Sequence, residues 1–161
     1  MERQIIELKD SLISERSATE VFDYLLNPAN FSQWNTSLLE GSCHCSCQTL
    51  SGIGCSLDMV FQFLGKKVNT CCMVIEYEQD AQLVLKSISG PLEFIINFDL
   101  ASAGIGTEIN FQVYLSVMRG FFEQSQMVVQ NVLQHIFSNS LVLLCLLVEK
   151  LEQPKVLVAL E

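Results

Sequence analysis

The chain has 161 residues, half of them hydrophobic, and a formal net charge of −9 at pH 7. That length predicts one domain over residues 1–161, with 153–161 as a C-terminal tail and enough chain for a full hydrophobic core. The acidic balance argues against nucleic acid and anionic membrane surfaces as partners, because both favour basic patches.

The composition also limits where the protein is expected to work. The first residues lack the charged-then-apolar pattern of a signal peptide. No uninterrupted apolar run reaches the roughly 18–20 residues that span a bilayer. Seven cysteines are an odd number without the spacing of a secreted disulfide scaffold. We therefore expect a cytoplasmic protein without stable membrane insertion.

The N-terminal part of the chain predicts one strand followed by two short helices. Arg3–Ile13 is rich in isoleucine and leucine with interspersed charges, which favours a strand. Residues 17–20 have the spacing of a capping box, in which a serine hydroxyl and a glutamate carboxylate satisfy free amides at a helix start. The first helix ends at Asn27-Pro28, and the second, Ala29–Gln33, ends near Trp34.

Residues 37–117 predict an antiparallel meander. Residues 92–100 and 107–117 alternate apolar and polar side chains, and short turns separate the segments. This pattern is typical of strands with one buried and one solvated face. The predicted strands are 37–50 (one strand, or a pair interrupted at Gly41), 55–64, 68–78, 81–89, 92–101 and 107–117.

A long C-terminal helix is predicted from Phe121 to about Glu152. Residues 124–148 contain no charged side chain, and apolar pairs recur every four residues, which gives the helix one broad apolar face. Residues 141–148 are apolar all round, so this end needs cover on more than one side. Pro154 prevents the helix from continuing. The helix therefore needs a large apolar surface, which the predicted strands can supply.

Three stretches of the chain carry a family resemblance. Residues 17–35 read SATEVFDYLLNPANFSQWN, residues 104–115 read GIGTEINFQVYL, and residues 148–153 read VEKLEQ. Together they resemble the START-like superfamily, also called SRPBCC, with its polyketide cyclase/dehydrase and lipid-transport members. The likeness spans essentially the whole chain, and the order of the predicted elements agrees with it.

The resemblance implies an α+β helix-grip fold. In that fold a curved antiparallel sheet of about six to seven strands wraps a long C-terminal helix, and two short helices after the first strand close a cavity between them. The superfamily includes lipid carriers, cyclases, chaperone activators and hormone receptors, so the fold does not define one activity. We expect a START-like ligand-binding domain that binds or transports a lipid-like or polycyclic hydrophobic molecule in the cavity, without a cofactor.

The side chains predicted to line the cavity come from the inward faces of the strands and from the long helix. The inward phenylalanines are core residues by default and become ligand wall where the cavity is open. The predicted wall residues are Trp34, Met59, Phe61, Phe63, Phe94, Phe98, Phe111, Val132, His135 and Ile136.

The segment with Cys43, Cys45 and Cys47 is the candidate metal site. Alternation on a strand places the three thiols on one face, about 6.6 Å apart along the strand. Zinc needs sulfur ligands within roughly 4 Å of each other, so an extended strand presents these thiols poorly. Small apolar fillers of a half-buried strand are the preferred interpretation, with metal binding or redox reactivity as alternatives.

Two further functions stay open from the sequence. A cyclase-, aromatase- or dehydrase-type enzyme needs a polar group that points into the cavity, and His135 and Tyr114 are the candidates for moving a proton. An interaction module is the other alternative, because the uncharged outer face of the long helix is suited to cover by a second subunit. We therefore predict a homodimer beside the ligand-binding function.

Overall fold

The architecture is seen in a computed structural model that describes residues 2–39 and 41–151. A seven-stranded antiparallel sheet and a long helix form it, with short helices after the first strand. The elements are β1 (Arg3–Ser14), α1 (Ala18–Leu26), a 3-10 turn (Pro28–Asn30), α2 (Phe31–Trp34), β2 (His44–Cys45), β3 (Ser56–Phe63), β4 (Lys66–Glu78), β5 (Gln82–Ser89), β6 (Glu93–Ala103), β7 (Gly106–Met118) and α3 (Gln126–Glu149). The predicted tail 153–161 lies outside the described residues.

The sheet has the strand order β1-β7-β6-β5-β4-β3-β2, so β1 crosses over to pair with β7. β6 and β7 pair along their full length, from Glu93↔Ser116 to Ala103↔Gly106. The alternation of these two strands is confirmed, because Phe94, Ile96 and Phe98 are buried on the inner face. The α+β helix-grip prediction is therefore confirmed, including the number of strands.

The start of α1 has the predicted capping box. The Ser17 hydroxyl accepts a hydrogen bond from the Glu20 backbone N–H, and the Glu20 carboxylate accepts one from the Ser17 N–H. These contacts satisfy two amides that the helix itself leaves free. One face of α1 then lies in the core, where Val21, Phe22 and Leu25 are fully buried.

The prediction of a strand over residues 37–50 is wrong for most of that stretch. The segment makes one isolated bridge, Leu38↔Phe61, and the two-residue strand β2, and is otherwise irregular. Gly41 has a φ of 75°, which bends the backbone out of the extended region. The Ser42 hydroxyl then accepts a hydrogen bond from the Val60 N–H. In a regular ladder this N–H would bond to a backbone carbonyl. A side chain thus replaces the backbone as partner of β3 at this point.

The long helix begins later than predicted. Gly120 has a φ of 84° and reverses the chain after β7, and the hydroxyl of Ser125 accepts the Val128 N–H as the helix cap. Residues 121–125 therefore form a turn, and α3 starts at Gln126. Its predicted last residue, Glu152, lies outside the described residues.

One face of α3 lies on the sheet. Its buried side chains follow the predicted apolar face and include Val129, Leu133 and Phe137. Length and composition alone would let this helix cross a bilayer. In this structure the helix packs against β1 and α2.

Candidate functional site

A cavity of about 90 Å³ lies between the inner face of the sheet and α3. β6 and β7 supply Ile96, Phe111 and Val113 to its wall, because alternate side chains of a strand point to the same face. Leu133 and Phe137 close it from the side of α3. The wall is thus built mainly from the apolar faces that drive the sheet and the helix together.

A stack of three phenylalanine rings borders the cavity, and two of them, Phe111 and Phe137, line it. The ring centroids of Phe98 and Phe111 are 4.6 Å apart at an interplanar angle of 7°, and those of Phe111 and Phe137 are 4.2 Å apart at 23°. Trp34 meets Phe98 and Phe111 edge-on, with centroids 5.8 Å from each. We call Phe98, Phe111 and Phe137 the aromatic stack. It fills interior space that would otherwise enlarge the cavity.

A second aromatic group lines the cavity where it approaches the surface. The ring of Phe61 lies 5.9 Å from that of Phe94 and 6.1 Å from that of Phe63, in edge-to-face contacts. Phe63 is only half-buried and also contacts Phe122, which precedes α3. Aromatic side chains thus line this side of the cavity.

Three polar side chains meet at one part of the wall. Asn35 and Ser37 follow α2, and Ser140 lies on the buried face of α3. The Asn35 Oδ1 accepts hydrogen bonds from the Ser37 hydroxyl, at 2.6 Å, and from its backbone N–H, at 3.1 Å. The Ser140 hydroxyl accepts the Thr36 N–H at 3.4 Å. These bonds do not use the Ser140 hydroxyl proton or the Asn35 side-chain NH₂, so both can serve as donors.

The wall is thin where β5 and β6 separate. Their pairing stops at Lys86↔Ile95, and the Phe94 N–H is bonded instead to the hydroxyl of Ser87, at 2.8 Å. An open groove of about 530 Å³ lies outside this gap. Leu92, Phe94 and Leu115 line both the groove and the inner cavity. We call these three side chains the shared wall.

The structure places five of the ten predicted wall residues on the cavity: Phe61, Phe63, Phe94, Phe111 and Ile136. Trp34 and Phe98 lie behind Phe111, in the packed core. Met59 is buried on the same face of β3 as Phe61, two residues before it, but does not line the cavity. Val132, on α3, does not line it either.

His135 and Tyr114, the candidates for proton transfer, lie outside the cavity. His135 is exposed on α3, where its Nε2 lies 3.1 Å from the Asn139 amide nitrogen. Tyr114 is exposed on the outer face of β7. The residues that line the cavity, all within the described part of the chain, include no acid, base or thiol. The site therefore has hydrogen-bonding groups but no titratable side chain.

Sequence reasoning missed the polar residues of the site for a physical reason. Asn35 and Ser37 lie in an irregular segment with no periodicity to fix their direction, and Ser140 is one of several polar residues on the predicted helix. Only the docking of α2 on α3 brings the three together. The apolar wall residue Val113, in contrast, follows from the alternation of β7.

The cysteine-rich segment lies at the far edge of the sheet, away from the cavity. Cys43 and Cys45 pack on the core, whereas Cys47 is exposed. Burial raises the pKa of the Cys43 thiol, although a hydrogen bond from Ser42 opposes it. Among residues 2–39 and 41–151, no three histidine, cysteine or acidic side chains are grouped closely enough to hold a metal ion.

The sheet, the long helix packed on it and the cavity between them define a helix-grip fold. No protein-family model matches the sequence, and no curated protein matches it. Solved structures do match, so the predicted fold family is confirmed at the level of the fold.

Three of these structures illustrate the likeness. TTHA0849 from Thermus thermophilus has a TM-score of 0.74 at 16% identity, over 88% of this chain and 96% of its own. A START superfamily protein from Mycobacterium smegmatis has a TM-score of 0.72 at 13% identity, over 91% and 99%. The di-domain ARO/CYC StfQ from the steffimycin biosynthetic pathway has a TM-score of 0.68 at 12% identity, over 90% of this chain and 51% of its own. At such identities the likeness shows the fold alone.

Proposed function

We propose that this protein is a single-domain, cytoplasmic binding or transport protein for a hydrophobic small molecule, held between the sheet and α3. The observation that supports it is an apolar wall with hydrogen-bond donors at one place only, Asn35 and Ser140. Burial of apolar ligand surface would supply most of the affinity, at about 25 cal/mol per Å². The few polar groups would orient the ligand.

The size of the cavity limits the ligand in the resting form. Ordinary ligand pockets have volumes of about 300–1,000 Å³, whereas this cavity has about 90 Å³. The resting form therefore suits a fragment-sized molecule. A lipid-like or polycyclic ligand requires side chains of the wall to move.

The shared wall is the part best suited to such a movement. Leu92 and Phe94 separate the cavity from the larger outer groove at the point where β5 and β6 no longer pair. Rotation of these side chains would join the two spaces without breaking a strand pair. The ligand we propose thus has an apolar body that reaches toward the shared wall and one oxygen acceptor that faces Ser140.

A matched pair of probes tests the polar end of the site. Acetophenone and ethylbenzene have similar shapes, but only the ketone has an acceptor oxygen. We expect Ser140→Ala to lower the affinity for acetophenone by about two- to tenfold, which corresponds to the net contribution of one hydrogen bond. The affinity for ethylbenzene should stay unchanged. Trp34 fluorescence is a suitable signal, because this sole tryptophan touches the aromatic stack.

Ser138→Ala is the matched control, because Ser138 lies on the same helix and its hydroxyl accepts from Gln134 outside the lining. Equal losses for both probes, or for both serine variants, would contradict the proposed orientation. Absence of any probe binding to the wild-type protein would contradict the function itself.

A second pair of variants tests the shared wall. We expect Phe94→Ala to increase binding of the neutral dye N-phenyl-1-naphthylamine, because truncation joins cavity and groove. Ile13→Ala is the control, since Ile13 is an exposed residue of β1 that lines neither the cavity nor the groove. No gain over this control in a folded Phe94→Ala protein would mean that the wall does not limit ligand size.

The enzyme alternative is less well supported than binding. Cyclase- or dehydrase-type chemistry needs a group that moves protons at the substrate, and the cavity lining within the described residues has none. His135→Ala tests the better of the two candidates from the sequence, since unchanged turnover of any detected substrate would remove this residue from the chemistry.

We propose a homodimer as an additional property, on a separate observation. The exposed side of α3 carries Val128, Val142 and Leu146, of which the last two are 45% and 47% exposed, and residues 124–148 include no charge. Light scattering should give a dimer for the wild-type protein and a monomer for Val142→Glu. Ile105→Glu, in the distant β6–β7 turn, is the control. A strictly monomeric wild-type protein at high concentration would refute the dimer.

A further inference from the structure

Cys47 and Cys55 face each other across the end of the β2–β3 pair. The register of that pair is His44↔Asp58 and Cys45↔Leu57. It continues one residue further, because the Ser46 N–H donates to the Ser56 carbonyl at 2.9 Å. The next residues in the same register are Cys47 and Cys55. All seven cysteines of the chain are described, and all are free thiols.

The hydrogen bonds also show which type of pair this is. In an antiparallel ladder, hydrogen-bonded and non-hydrogen-bonded pairs alternate, and the latter have Cα atoms about 4.5 Å apart. Ser46 and Ser56 exchange two hydrogen bonds, from the Ser46 N–H to the Ser56 carbonyl and from the Ser56 N–H to the Ser46 hydroxyl, each at 2.9 Å. Cys47 and Cys55 therefore follow at the position of a non-hydrogen-bonded pair. Disulfides need Cα separations of about 4.4–6.8 Å, a range that includes the spacing of a non-hydrogen-bonded pair.

The register brings the two thiols to neighbouring positions. A hydrogen bond from the Cys55 thiol to Cys47 is the largest cause that raises the pKa of Cys55, to about 11, followed by burial and by the charges of Cys47 and Cys45. Cys55 therefore stays protonated at neutral pH, whereas Cys47 is exposed and open to attack by reagents.

We propose that Cys47 and Cys55 form a reversible disulfide, with Cys47 as the thiol that reacts first and Cys55 as the one that resolves. The inference is independent of the ligand-binding function, because the pair lies outside the cavity. It rests on the register of β2 and β3 and on the hydrogen bonds between Ser46 and Ser56 that extend this register toward the two cysteines.

The oxidant is a small-molecule disulfide of the glutathione type. The Cys47 thiolate attacks one sulfur of that disulfide, forming a mixed disulfide and releasing one thiol. The Cys55 sulfur then loses its proton and attacks the Cys47 sulfur, which expels the second thiol. Two electrons pass from the cysteine pair to the oxidant, and two thiols result. Because Cys47 no longer has a thiol after the first step, the main cause of the high Cys55 pKa disappears before the second.

Oxidation would fasten an irregular part of the sheet edge. The closed loop runs from Cys47 to Cys55 and includes Leu50, which is fully buried and donates its N–H to the Leu26 carbonyl of α1 at 2.8 Å. The segment before the loop pairs with β3 as far back as Ser37 in the cavity wall. The disulfide would therefore tie the end of a segment whose beginning lines the cavity.

The test uses the full chain in buffers of reduced and oxidised glutathione. No lysine or arginine lies between Arg16 and Lys66, so trypsin leaves Cys43, Cys45, Cys47 and Cys55 in one peptide. Chymotrypsin, which cuts after Leu50, separates Cys55 from the other three. We expect two peptides joined across this cut, an intact mass lower by two hydrogen atoms, and reversal of both by dithiothreitol.

Single variants identify the pair. Cys47→Ser and Cys55→Ser should lose the joined peptides, whereas Cys45→Ser should keep them, since Cys45 lies on the same face but opposes Leu57. Circular dichroism checks that each variant is folded, and hydrogen exchange at Ser46 should slow when the wild-type protein is oxidised. A link that survives Cys47→Ser, a glutathione adduct that never resolves, or no oxidation at all would overturn the proposal.

Discussion

Phe111 contacts aromatic rings on three sides and is the residue on which the interior packing depends most directly. It lies between Phe98 and Phe137 in the aromatic stack and meets the edge of Trp34. Its ring is 3% exposed and also lines the cavity. A change at this residue therefore affects stability and cavity size together.

We expect Phe111→Ala to lower the free energy of unfolding by about 3–5 kcal/mol, because a buried ring is lost and a void remains. Urea denaturation followed by Trp34 fluorescence measures this effect. Ile105→Ala, at a site that is 95% exposed, should change stability by less than about 0.5 kcal/mol. A loss as small as the control's would mean that the stack is not tightly packed.

The first two residues of β7, Gly106 and Thr107, each have a structural role at the junction with β1. A Cβ atom on Gly106 would lie 2.0 Å from the Ser14 carbonyl oxygen, so only glycine allows β1 to approach this closely. The Thr107 hydroxyl donates to the Arg16 carbonyl at 2.8 Å, which satisfies an acceptor just beyond the end of β1. The pair thus fixes the junction of β1, β7 and α1.

Gly106→Ala should therefore destabilise the protein by about 1–3 kcal/mol or more, the usual cost of overpacking. Gly52→Ala is the matched control, because its added Cβ meets nothing within 4 Å and its φ is not positive. Thermal denaturation of both variants measures the difference. Equal melting temperatures would show that the β1–β7 junction can widen at no cost.

At the scale of elements, Arg16 joins the start of α1 to the end of α3. Its guanidinium is 2.9 Å from the Glu20 carboxylate and donates to the carbonyls of Glu149, at 2.9 Å, and Leu151. A positive charge at a helix C-terminus satisfies free carbonyls and complements the helix dipole. The capping box of α1 thus also positions a cap for the long helix.

The Glu20 carboxylate makes this junction depend on pH. Burial acts to raise its pKa, but the Ser17 hydroxyl and backbone N–H and the Arg16 guanidinium outweigh burial and hold the pKa below its ordinary value of 4.5. A lowered folded-state pKa contributes stability above the unfolded pKa and loses it as pH falls through the folded value.

We therefore expect the wild-type protein to lose stability below about pH 4.5, the ordinary pKa of this carboxylate, more steeply than Glu20→Gln. Urea denaturation of both proteins between neutral and acidic pH measures the two slopes. Identical slopes would contradict a stabilising role for the ionised carboxylate.

At the scale of the whole molecule, the sheet is continuous at β6–β7 and interrupted at β5–β6. β6 and β7 form eleven residue pairs, whereas β5 and β6 form five, between Gln82↔Asp99 and Lys86↔Ile95. Beyond this point β5 still pairs with β4, at Cys72↔Ser87 and Cys71↔Ser89. The gap is thus open on one side of β5 only, where the shared wall lies.

Backbone amides at the gap should exchange with solvent faster than those of the continuous ladder. Local opening needs least free energy where few backbone hydrogen bonds and few buried contacts resist it. We expect peptides that cover residues 87–93 to take up deuterium before those that cover residues 107–117. Mass spectrometry of exchanged, pepsin-digested protein measures this order, and equal protection would argue against movement of the shared wall.

Much of the fold follows from the sequence because its information is local and periodic. Alternation in residues 92–100 and 107–117 fixes the inward faces of β6 and β7, since neighbouring side chains of a strand must point to opposite sides. The Ser17–Glu20 spacing likewise fixes the start of α1. These signals, with the family resemblance, were enough to predict the helix-grip fold and the side of the sheet that faces α3.

The candidate site was predictable only in part. The direction of Phe61, Phe94 and Phe111 follows from strand period, but the volume left between them depends on how rings from separate elements fill the space. Residues 37–50 lacked a usable signal, because a positive φ at Gly41 and a hydrogen bond to the Ser42 side chain replace the regular ladder.

The sequence by itself thus determined which faces of the strands and of the long helix are apolar. Only the tertiary structure decided that the interior is largely filled, that Asn35 and Ser140 meet at one end, and that Cys47 opposes Cys55. The physical reason is the separation along the chain over which each kind of interaction acts. Periodicity and caps act within a few residues, whereas the cavity depends on contacts between segments far apart in the chain. The opposition of Cys47 and Cys55 depends on an irregular loop that no periodic pattern predicts.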